Sequence, residues 1–382
     1  MQKIKALYLS PVPDFKGGAE RSLFDLLANP NIDPVLAVPE EGELAVRARA
    51  MNIPVEVIDF GSVHHVRRPF KVWHGLTALS DAWRASRFLR SAALRNNVDI
   101  IHTNGLKAHS VALLTKFGKS PKLVMHFRDI AYTAQEKMVW RLLTRLASRA
   151  VFVSRACYPG EKLPVNGRVI FNGIDPRPQI TLSPQTPLRV GFIGRIHPHK
   201  GLHTLLNWMQ KAKSDGLSVH LFVRGSFSSE APQYEEQIKS QIRMQGLGDC
   251  VSLEGFFDDP AAVYKNLDVV CAPAQAAEPF GRTVLEPMSI GLPVIATPTG
   301  GTTEMVLDGI TGFIARDAED FIKALRIIRT DELMIRSMVT AGRDHINDNF
   351  SKQKLHTAVY HLYRELLDGR HASATEVVKS PL

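Results

Sequence analysis

Two carboxylates, Glu278 and Glu286, stand at the ends of the segment EPFGRTVLE. We expect Glu278 in a loop and Glu286 on the helix that follows it. An ionised carboxylate accepts two hydroxyl hydrogen bonds, which suits the vicinal diol of a sugar or a ribose. Gly281, between the two, lets backbone N–H groups come close to a ligand. The alternative is that both glutamates are structural, because spaced glutamate pairs are common.

A second candidate binding site is formed by two cations five residues apart, Arg195 and Lys200, in the segment GRIHPHKG. The segment follows a predicted strand, so both side chains can converge on one diphosphate. A guanidinium binds phosphate oxygens in a bidentate manner, and an ammonium adds a point charge. The spacing differs from that of a Walker A loop, which disfavours a P-loop NTPase. The alternative is a solvated basic loop.

Two further candidates lie in the first half of the chain. Gly17 and Gly18 follow the first predicted strand, and paired glycines before a helix let backbone approach an anion. They do not form the dinucleotide fingerprint, so a Rossmann dehydrogenase is not supported. His126 stands at the end of another predicted strand, where it could bond a sugar hydroxyl. A flexible turn and a structural histidine are the respective alternatives.

Metal-ligand patterns are not found in the sequence. No Asp-x-Asp occurs on a loop suited to a metal ion, and Asp258 and Asp259 are adjacent and precede Pro260, which indicates a helix start. The three cysteines lie far apart and form no C-x-x-C pair, so neither a zinc site nor a disulfide framework is indicated. We therefore expect no metal and no resident cofactor.

These loops must be positioned by the strands and helices between them. Short apolar runs alternate with longer amphipathic segments, which predicts parallel, doubly wound sheets. In the first half we predict strands at 5–10, 35–38, 55–59, 99–103, 122–126, 150–154 and 168–172, and helices at 20–27, 76–95 and 137–148. In the second half we predict strands at 188–194, 219–223, 251–253, 268–272 and 293–296, and a last helix at 353–367.

The domain organisation follows from a break in this pattern. Four prolines occur in residues 175–187, which indicates a linker. We predict an N-terminal Rossmann-like domain at 1–175, a linker at 176–187 and a second such domain at 188–350. A C-terminal helix at 351–368 is expected to pack back towards the N-terminal domain, and residues 369–382 are expected to form a tail. The two domains would face each other across a cleft, with ligands bound at the carboxyl ends of strands.

Bulk properties narrow the class of protein. The 382 residues carry a net charge of +9, which favours anionic partners such as phosphorylated ligands or an anionic membrane face. No segment has the length of a membrane-spanning helix, and the N-terminal apolar run is too short for a signal peptide. We expect a cytoplasmic protein, with attachment to the inner face of the cell membrane as an option.

The motifs, taken in order, resemble those of family-4 retaining glycosyltransferases with the GT-B fold. The resemblance covers about residues 4–365. It rests on GGAER at 17–21, NGID at 172–175, the Gly-Arg and Lys-Gly pairs of the 194–201 loop, EPFG through Glu286, GLPVIA at 291–296, Gly300-Gly301, Glu304 and GITGF at 309–313. Each motif is moderately specific, whereas their joint order and spacing are highly specific.

The resemblance implies a role for each candidate residue. Glu278 would bond hydroxyls of the transferred sugar, and Glu286 would bind the ribose diol. Arg195 and Lys200 would hold the diphosphate, and His126 would face the donor sugar from the other domain. The remaining donor-side residues would be Gly17, Gly18, Phe280, Gly281, Arg282 and Thr283.

The resemblance also implies a reaction. A hexose-type sugar would pass with retention from a UDP- or GDP-linked donor to a glycan or lipid-linked acceptor. Fixed cations would stabilise the leaving diphosphate without a metal. Attack would occur on the front face, with a donor phosphate oxygen taking the acceptor proton. The sequence Arg224-Gly225-Ser226-Phe227 replaces the family's more usual Gly-x-Gly, so the base preference stays open, and Pro287 is expected to bend the helix that carries Glu286.

Residues 66–97 form a basic segment on the acceptor side. Its cations are Arg67, Arg68, Lys71, Arg84, Arg87, Arg90 and Arg95, against the single acid Asp81. On a helical wheel Arg84, Arg87 and Arg95 share one side, and Leu79, Trp83 and Leu89 lie largely opposite. Such a helix could rest on anionic lipid. An ordinary core-packed helix with a solvated basic face is the alternative.

Three other functional classes are alternatives. A nucleotide-sugar epimerase would share the two-domain architecture but not the combined cation and carboxylate motifs. A non-catalytic nucleotide-sugar-binding module would keep the same residues without turnover. A two-lobed solute-binding protein would carry an export signal. No nucleic-acid partner is expected.

Overall fold

The computed structural model describes residues 3–15, 17–65, 75–115, 121–175, 177–180, 182, 184–259 and 262–369. The chain divides into two compact units, Met1–Gly173 with Lys352–Leu382, and Ile174–Ser351. The predicted linker at 176–187 falls within the second unit, where Ile180 donates its backbone N–H to the carbonyl of Ile290. The predicted tail beyond Gly369 lies outside the described residues.

The first unit is built on a seven-stranded sheet in which every neighbouring pair is parallel. The strand order is β3-β2-β1-β4-β5-β6-β7. The strands are β1 (Ile4–Leu9), β2 (Ile32–Val38), β3 (Val55–Val57), β4 (Ile100–Asn104), β5 (Lys122–Phe127), β6 (Arg149–Phe152) and β7 (Gly167–Val169). The helices are α1 (Gly18–Leu27), α2 (Glu43–Ala50), α3 (Gly75–Arg95), α4 (Leu106–Leu113), α5 (Ala134–Leu146) and, from the C-terminus, α12 (Lys352–Leu367).

The second unit repeats this architecture on a six-stranded parallel sheet of order β10-β9-β8-β11-β12-β13. Its strands are β8 (Leu188–Ile193), β9 (Val219–Arg224), β10 (Val251–Gly255), β11 (Val269–Ala272), β12 (Val294–Ala296) and β13 (Phe313–Ile314). Its helices are α6 (Leu202–Ser214), α7 (Tyr234–Met244), α8 (Arg282–Ser289), α9 (Thr302–Met305), α10 (Ala318–Thr330) and α11 (Glu332–Asn349).

The predicted fold class, two doubly wound α/β domains, is confirmed. Every predicted strand is present with ends within three residues of those expected, because strands buried on both faces are short apolar runs. The elements without a predicted range include the short α2, α4 and β13 and also two longer helices of the second unit, α10 and α11. Pro287 lies inside α8, which continues to Ser289.

Helix α12 belongs to the core of the first unit. Leu355, Val359 and Tyr363 lie in the same buried cluster as residues of β1 and α1. At its start Lys352 forms an ion pair of 2.8 Å with Asp25 of α1. Helix α12 therefore completes the sheet face that the N-terminal segment begins.

In helix α3 the buried residues differ from the apolar side of the helical wheel. Its buried stripe consists of Leu89, Ser86 and four alanines, Ala82, Ala85, Ala92 and Ala93. Leu79 and Trp83, which the wheel placed on one side with Leu89, are 63% and 56% exposed. Alanines let the helix approach the sheet closely, so the larger apolar side chains are left on the outer face. No described helix is long and apolar enough to cross a membrane.

Candidate active site

In both sheets the strand order reverses beside the first strand of the unit. In the second unit this point lies between β8 and β11, which are hydrogen-bonded neighbours. Loops that leave the carboxyl ends of the strands flanking such a point form the usual ligand site of open α/β sheets. The predicted cation loop follows β8, and the predicted carboxylate loop follows β11.

The structure brings Lys200 and Glu278 together at this point. Lys200 Nζ donates to Glu278 Oε1 at 2.6 Å. Both side chains are mostly buried, and they line a small cavity with Thr283 and Thr302. An ammonium has three donors and a carboxylate has two acceptor oxygens. The pair therefore retains donors for a phosphate and acceptor capacity for a hydroxyl at neighbouring positions.

The loop that carries Glu278 is fixed to the following loop by its backbone. Glu278 forms a bridge with Gly300, and its carbonyl accepts from the N–H of Gly301 at 2.7 Å. Phe280 is buried, with its ring against Phe350. Gly281 is the N-cap residue of α8. The Gly-Gly pair that the sequence singled out thus holds the carboxylate loop in place.

Glu286 lies on α8, and both of its carboxylate oxygens are engaged. Arg282 Nε donates to Oε1 at 2.9 Å, and the Tyr264 hydroxyl donates to Oε2 at 3.0 Å. Tyr264 is buried, and burial together with the charge of Glu286 raises its pKa well above the ordinary value. The hydroxyl therefore stays protonated and orients the carboxylate. Sequence reasoning missed Tyr264, since nothing in its local segment marks it.

Arg195 does not join Lys200 in this structure. Its guanidinium pairs with Glu230 at 3.1 Å, and both side chains are largely exposed. His197, in the same loop, has a lowered pKa, mainly because of partial burial and then because of His199 and Arg195. Of the two cations predicted in this loop, Lys200 contacts Glu278, whereas Glu286 is contacted by Arg282 of α8.

Arg224, where the sequence departs from Gly-x-Gly, is a buried structural residue. Its Nε donates to Glu254 at 2.6 Å, and its Nη1 donates to the carbonyls of Val263 and Lys265. The guanidinium also lies over the rings of Phe222 and Phe257. It fastens the end of β9 to the segment before β11.

The first unit has a polar cluster at the carboxyl ends of β4 and β5. His126 is fully buried there, with Nδ1 3.0 Å from His102 Nε2 and 3.2 Å from Arg128 Nη2. Burial, followed by the charge of Arg128, lowers the pKa of His126 and of His102 well below the ordinary value. Both imidazoles are therefore neutral.

Gly17 and Gly18 lie at the start of α1 and are exposed. No side chain caps this helix at Gly17. A Cβ at Gly17 would lie 2.9 Å from a carboxylate oxygen of Glu20, the acid in the first turn. The basic helix α3 has two of its arginines paired, Arg84 with Asp81 and Arg95 with Glu56. Arg67, Arg68 and Lys71 lie outside the described residues.

The sequence of the second unit is similar to that of known glycosyltransferases. Residues 174–345 match the family model described as glycosyl transferases group 1. A capsular polysaccharide biosynthesis glycosyltransferase, CapM of Staphylococcus aureus, is 28% identical over 180 residues, 47% of this chain and 46% of that protein. A lipopolysaccharide 1,2-N-acetylglucosaminetransferase of Salmonella typhimurium is 25% identical over 279 residues, 69% of this chain and 70% of that protein.

Solved structures extend the likeness to both units. The Anabaena protein HepE in complex with UDP has a TM-score of 0.79 at 22% identity, covering 95% of this chain and 100% of that one. Its complex with UDP-glucose has a TM-score of 0.76 at the same identity of 22%, covering 96% and 100%. This likeness shows the fold. The chain therefore has the fold of the GT-B glycosyltransferases, and residues 174–345 of its second unit are similar to the group 1 glycosyl transferases.

Proposed function

We propose that this protein is a retaining, metal-independent glycosyltransferase that moves a hexose from a UDP- or GDP-linked donor to a glycan or lipid-linked acceptor. The observation that carries the proposal is the Lys200–Glu278 contact of 2.6 Å at the strand-order reversal of the second unit. A cation for phosphate and an acceptor for hydroxyls lie side by side there. A nucleotide sugar requires these two groups in that proximity, since its phosphate is bonded directly to the sugar.

The second carboxylate supports a nucleotide donor. Glu286 is oriented by Tyr264 and Arg282, and each of its oxygens keeps a lone pair for a ribose hydroxyl. Both carboxylates have a hydrogen-bonded partner, so neither has the isolation typical of a general acid. In the proposal Glu278 binds the sugar and Glu286 the ribose. The complexes of Anabaena HepE with UDP and UDP-glucose support a nucleotide-sugar donor.

In the proposed reaction, negative charge develops at the phosphate end of the donor. The bond between the sugar anomeric carbon and the diphosphate oxygen breaks, and the diphosphate gains negative charge. Lys200 and Arg195 stabilise that charge. The acceptor hydroxyl oxygen bonds to the anomeric carbon on the same face, and its proton passes to the departing phosphate oxygen. No side chain serves as nucleophile or base in this scheme.

A donor screen tests the proposal. Thermal unfolding is measured with UDP-, GDP- and ADP-linked sugars, and hits are followed by release of labelled sugar or transfer. We expect one nucleotide class to raise the melting temperature, since a ligand bound to the folded state stabilises it. The Glu286→Gln variant should lose that shift. A wild-type protein that no nucleotide sugar stabilises, or a Glu286→Gln variant with a full shift, contradicts the proposal. Conversion of the donor into its epimer would favour the epimerase alternative.

We also propose an anionic membrane surface as the place where the acceptor is met. On α3 the exposed Leu79 and Trp83 stand beside Arg87, whose guanidinium lies 5.0 Å from the Trp83 ring centre. An aromatic and an aliphatic side chain bordered by cations is the pattern of an interfacial helix. The names of the Staphylococcus and Salmonella relatives, which refer to capsular polysaccharide and lipopolysaccharide, are consistent with a glycan or lipid-linked acceptor.

Liposome sedimentation tests this surface. We expect binding to vesicles of phosphatidylcholine with phosphatidylglycerol, and little binding to phosphatidylcholine alone. The double variant Leu79→Ser/Trp83→Ser should bind less, whereas Met244→Ser, which removes an exposed apolar side chain of the second unit, should bind as the wild type does. Equal binding by both variants, or no binding at low salt, contradicts the membrane proposal.

A further inference from the structure

His197 stands at the start of the single 3₁₀ turn that carries Lys200. The turn is Pro198–Lys200, and the backbone of His197 before it is extended. Pro198 has no N–H, so the first N–H of the turn that needs an acceptor is that of His199. His197 Nδ1 accepts from this N–H at 3.2 Å. Ser, Thr, Asp and Asn are the usual residues at the start of a helical turn, so an imidazole is an uncommon cap.

The carbonyl of His199 is bound to the loop that carries Glu278. It accepts from the N–H of Gln275 at 2.8 Å and from the N–H of Ala276 at 3.3 Å. Gln275 and Ala276 precede Glu278 in the loop between β11 and α8. The N–H of His199 is thus held by the His197 side chain, and its carbonyl is held by the carboxylate loop. The backbone of one residue therefore connects the two loops of the site.

This connection lies one residue before the contact between Lys200 and Glu278. Lys200 Nζ donates to Glu278 Oε1 at 2.6 Å. The backbone N–H of Lys200 donates to the carbonyl of His197 at 2.8 Å. A lysine side chain is a flexible stem, so the place of its ammonium depends on where the backbone is held. His197 holds that backbone twice, through its own carbonyl and through its ring.

His197 can accept this hydrogen bond only while its Nδ1 carries no proton. A neutral imidazole that accepts at Nδ1 has its proton on Nε2, and an imidazolium has no acceptor. Partial burial lowers the pKa of His197, and so do His199 and Arg195 of the same loop. Glu230, from the segment after β9, raises the pKa, and Lys200 lowers it. The cations of the loop therefore favour the neutral ring that the cap requires.

We propose that His197 is a positioning residue of the donor site, whose Nδ1 holds the backbone of His199 and thereby sets Lys200 beside Glu278. This inference rests on the proposed function for the role of the Lys200–Glu278 pair. The ring of His197 acts through the backbone and does not need to touch the donor. Without the cap, the N–H of His199 turns to water, and the two loops lose one of the bonds that align them.

The connection between the loops is tested on the free protein by amide hydrogen exchange, measured by NMR at pH 7. His197→Phe keeps an aromatic ring but removes the acceptor. The amides of His199 and Gln275 should then exchange about threefold to tenfold faster, the range expected for the loss of one hydrogen bond. In His197→Asn the side-chain oxygen can replace Nδ1 as the cap, so both amides should exchange as in the wild type.

The matched control is His199→Phe, the same substitution in the other ring of a contacting pair. The centroids of the two rings are 4.6 Å apart. The side chain of His199 is exposed, and its backbone, which joins the loops, is retained. The exchange of the Gln275 amide should therefore change by less than about twofold. Equal exchange in His197→Phe and the wild type, or exchange in His197→Asn as fast as in His197→Phe, overturns the proposal.

Donor titration tests the consequence for the site. With UDP-glucose or GDP-mannose, whichever the wild type binds, His197→Phe should raise the dissociation constant about threefold to tenfold. His197→Asn and His199→Phe should change it by less than about twofold. Equal affinities of His197→Phe and the wild type, or equal losses in the two phenylalanine variants, overturn the positioning role. A wild type that binds no nucleotide sugar contradicts the proposed function, and the exchange rates then judge the connection between the loops by themselves.

Discussion

The polar groups of the two units differ in charge and in exposure. In the first unit His102 of β4 and His126 of β5 are fully buried and neutral. They contact each other, and His102 also contacts Tyr363 of α12. In the second unit Lys200, Glu278, Arg282 and Glu286 are charged, partly exposed and paired with one another. Burying an unpaired charge costs far more than burying a neutral donor. In the proposed function, the charged groups of the second unit bind the diphosphate of the donor.

The largest effect is expected from removing the charge of Lys200. Lys200→Met should lower the transfer rate by about 10²-fold or more, the usual loss when one preorganised group that stabilises developing charge is removed. Lys200→Arg, which keeps the charge, should retain more activity. Rates with a saturating donor provide the measurement. Equal rates for Lys200→Met and the wild type would show that the second unit does not handle the leaving-group charge.

The second largest effect is expected from a change in the backbone of the loop that carries Lys200. Gly201 has φ of +75°, and a Cβ there would lie 1.9 Å from the carbonyl oxygen of Pro273. Gly201→Ala should destabilise the protein by roughly 3 kcal/mol or more, because backbone must move. Gly309 is the control, with φ of +73° and nothing within 4 Å of an added Cβ, and its alanine variant should cost about 1 kcal/mol. Denaturant unfolding measures both, and equal losses contradict this account.

The neutral histidines of the first unit predict a pH dependence of stability. Burial lowers the pKa of His109 to about 3 from an ordinary value of 6.5, so below pH 6.5 the unfolded chain binds a proton that the folded chain does not. Stability is therefore present above pH 6.5 and is lost as pH falls, by about 2 kcal/mol per such histidine between pH 7 and pH 5. In His109→Asn this difference should shrink by that amount. The exposed His361, changed to Asn, is the control, and an unchanged difference in His109→Asn contradicts the prediction.

The smallest effect is expected at the exposed Arg195–Glu230 pair. Pairs of this kind contribute about 0–1 kcal/mol to stability, so neither Arg195→Ala nor Glu230→Gln should change the melting temperature measurably. If Arg195 binds the donor phosphates, Arg195→Ala should weaken donor binding by about tenfold, the value of one charge-assisted hydrogen bond. Glu230→Gln, which frees Arg195, should not weaken it. Donor titration decides, and equal weakening by both changes would place Glu230 in the binding site.

The two units also differ in how far the sequence could predict them. In the second unit the cation loop and the carboxylate loop are contiguous motifs, and each follows an apolar strand that is recognisable by itself. Their meeting at Lys200 and Glu278 follows from the strand order. In the first unit the sequence singled out His126 but not His102, which contacts it from β4, because a histidine inside a strand carries no local signal of its partner.

The face of α3 and the partners of Glu286 show the limits of local patterns. A helical wheel ranks residues by hydrophobicity, but close packing on the sheet favoured the alanines and left Trp83 outside. Tyr264 reaches Glu286 only because the segment before β11 folds over α8. Such contacts depend on distances between elements, which the pattern of one element does not contain.

By itself the sequence determined the strands, the two doubly wound units and the residues of the charged loops, because these depend on short runs and fixed spacings. The tertiary structure decided which groups surround the buried histidines of the first unit. His102 and Tyr363 are 261 residues apart, and they meet because α12 packs on the sheet that begins with β1. A tautomer depends on which donors and acceptors surround a ring, and only the folded chain brings those groups within hydrogen-bonding distance.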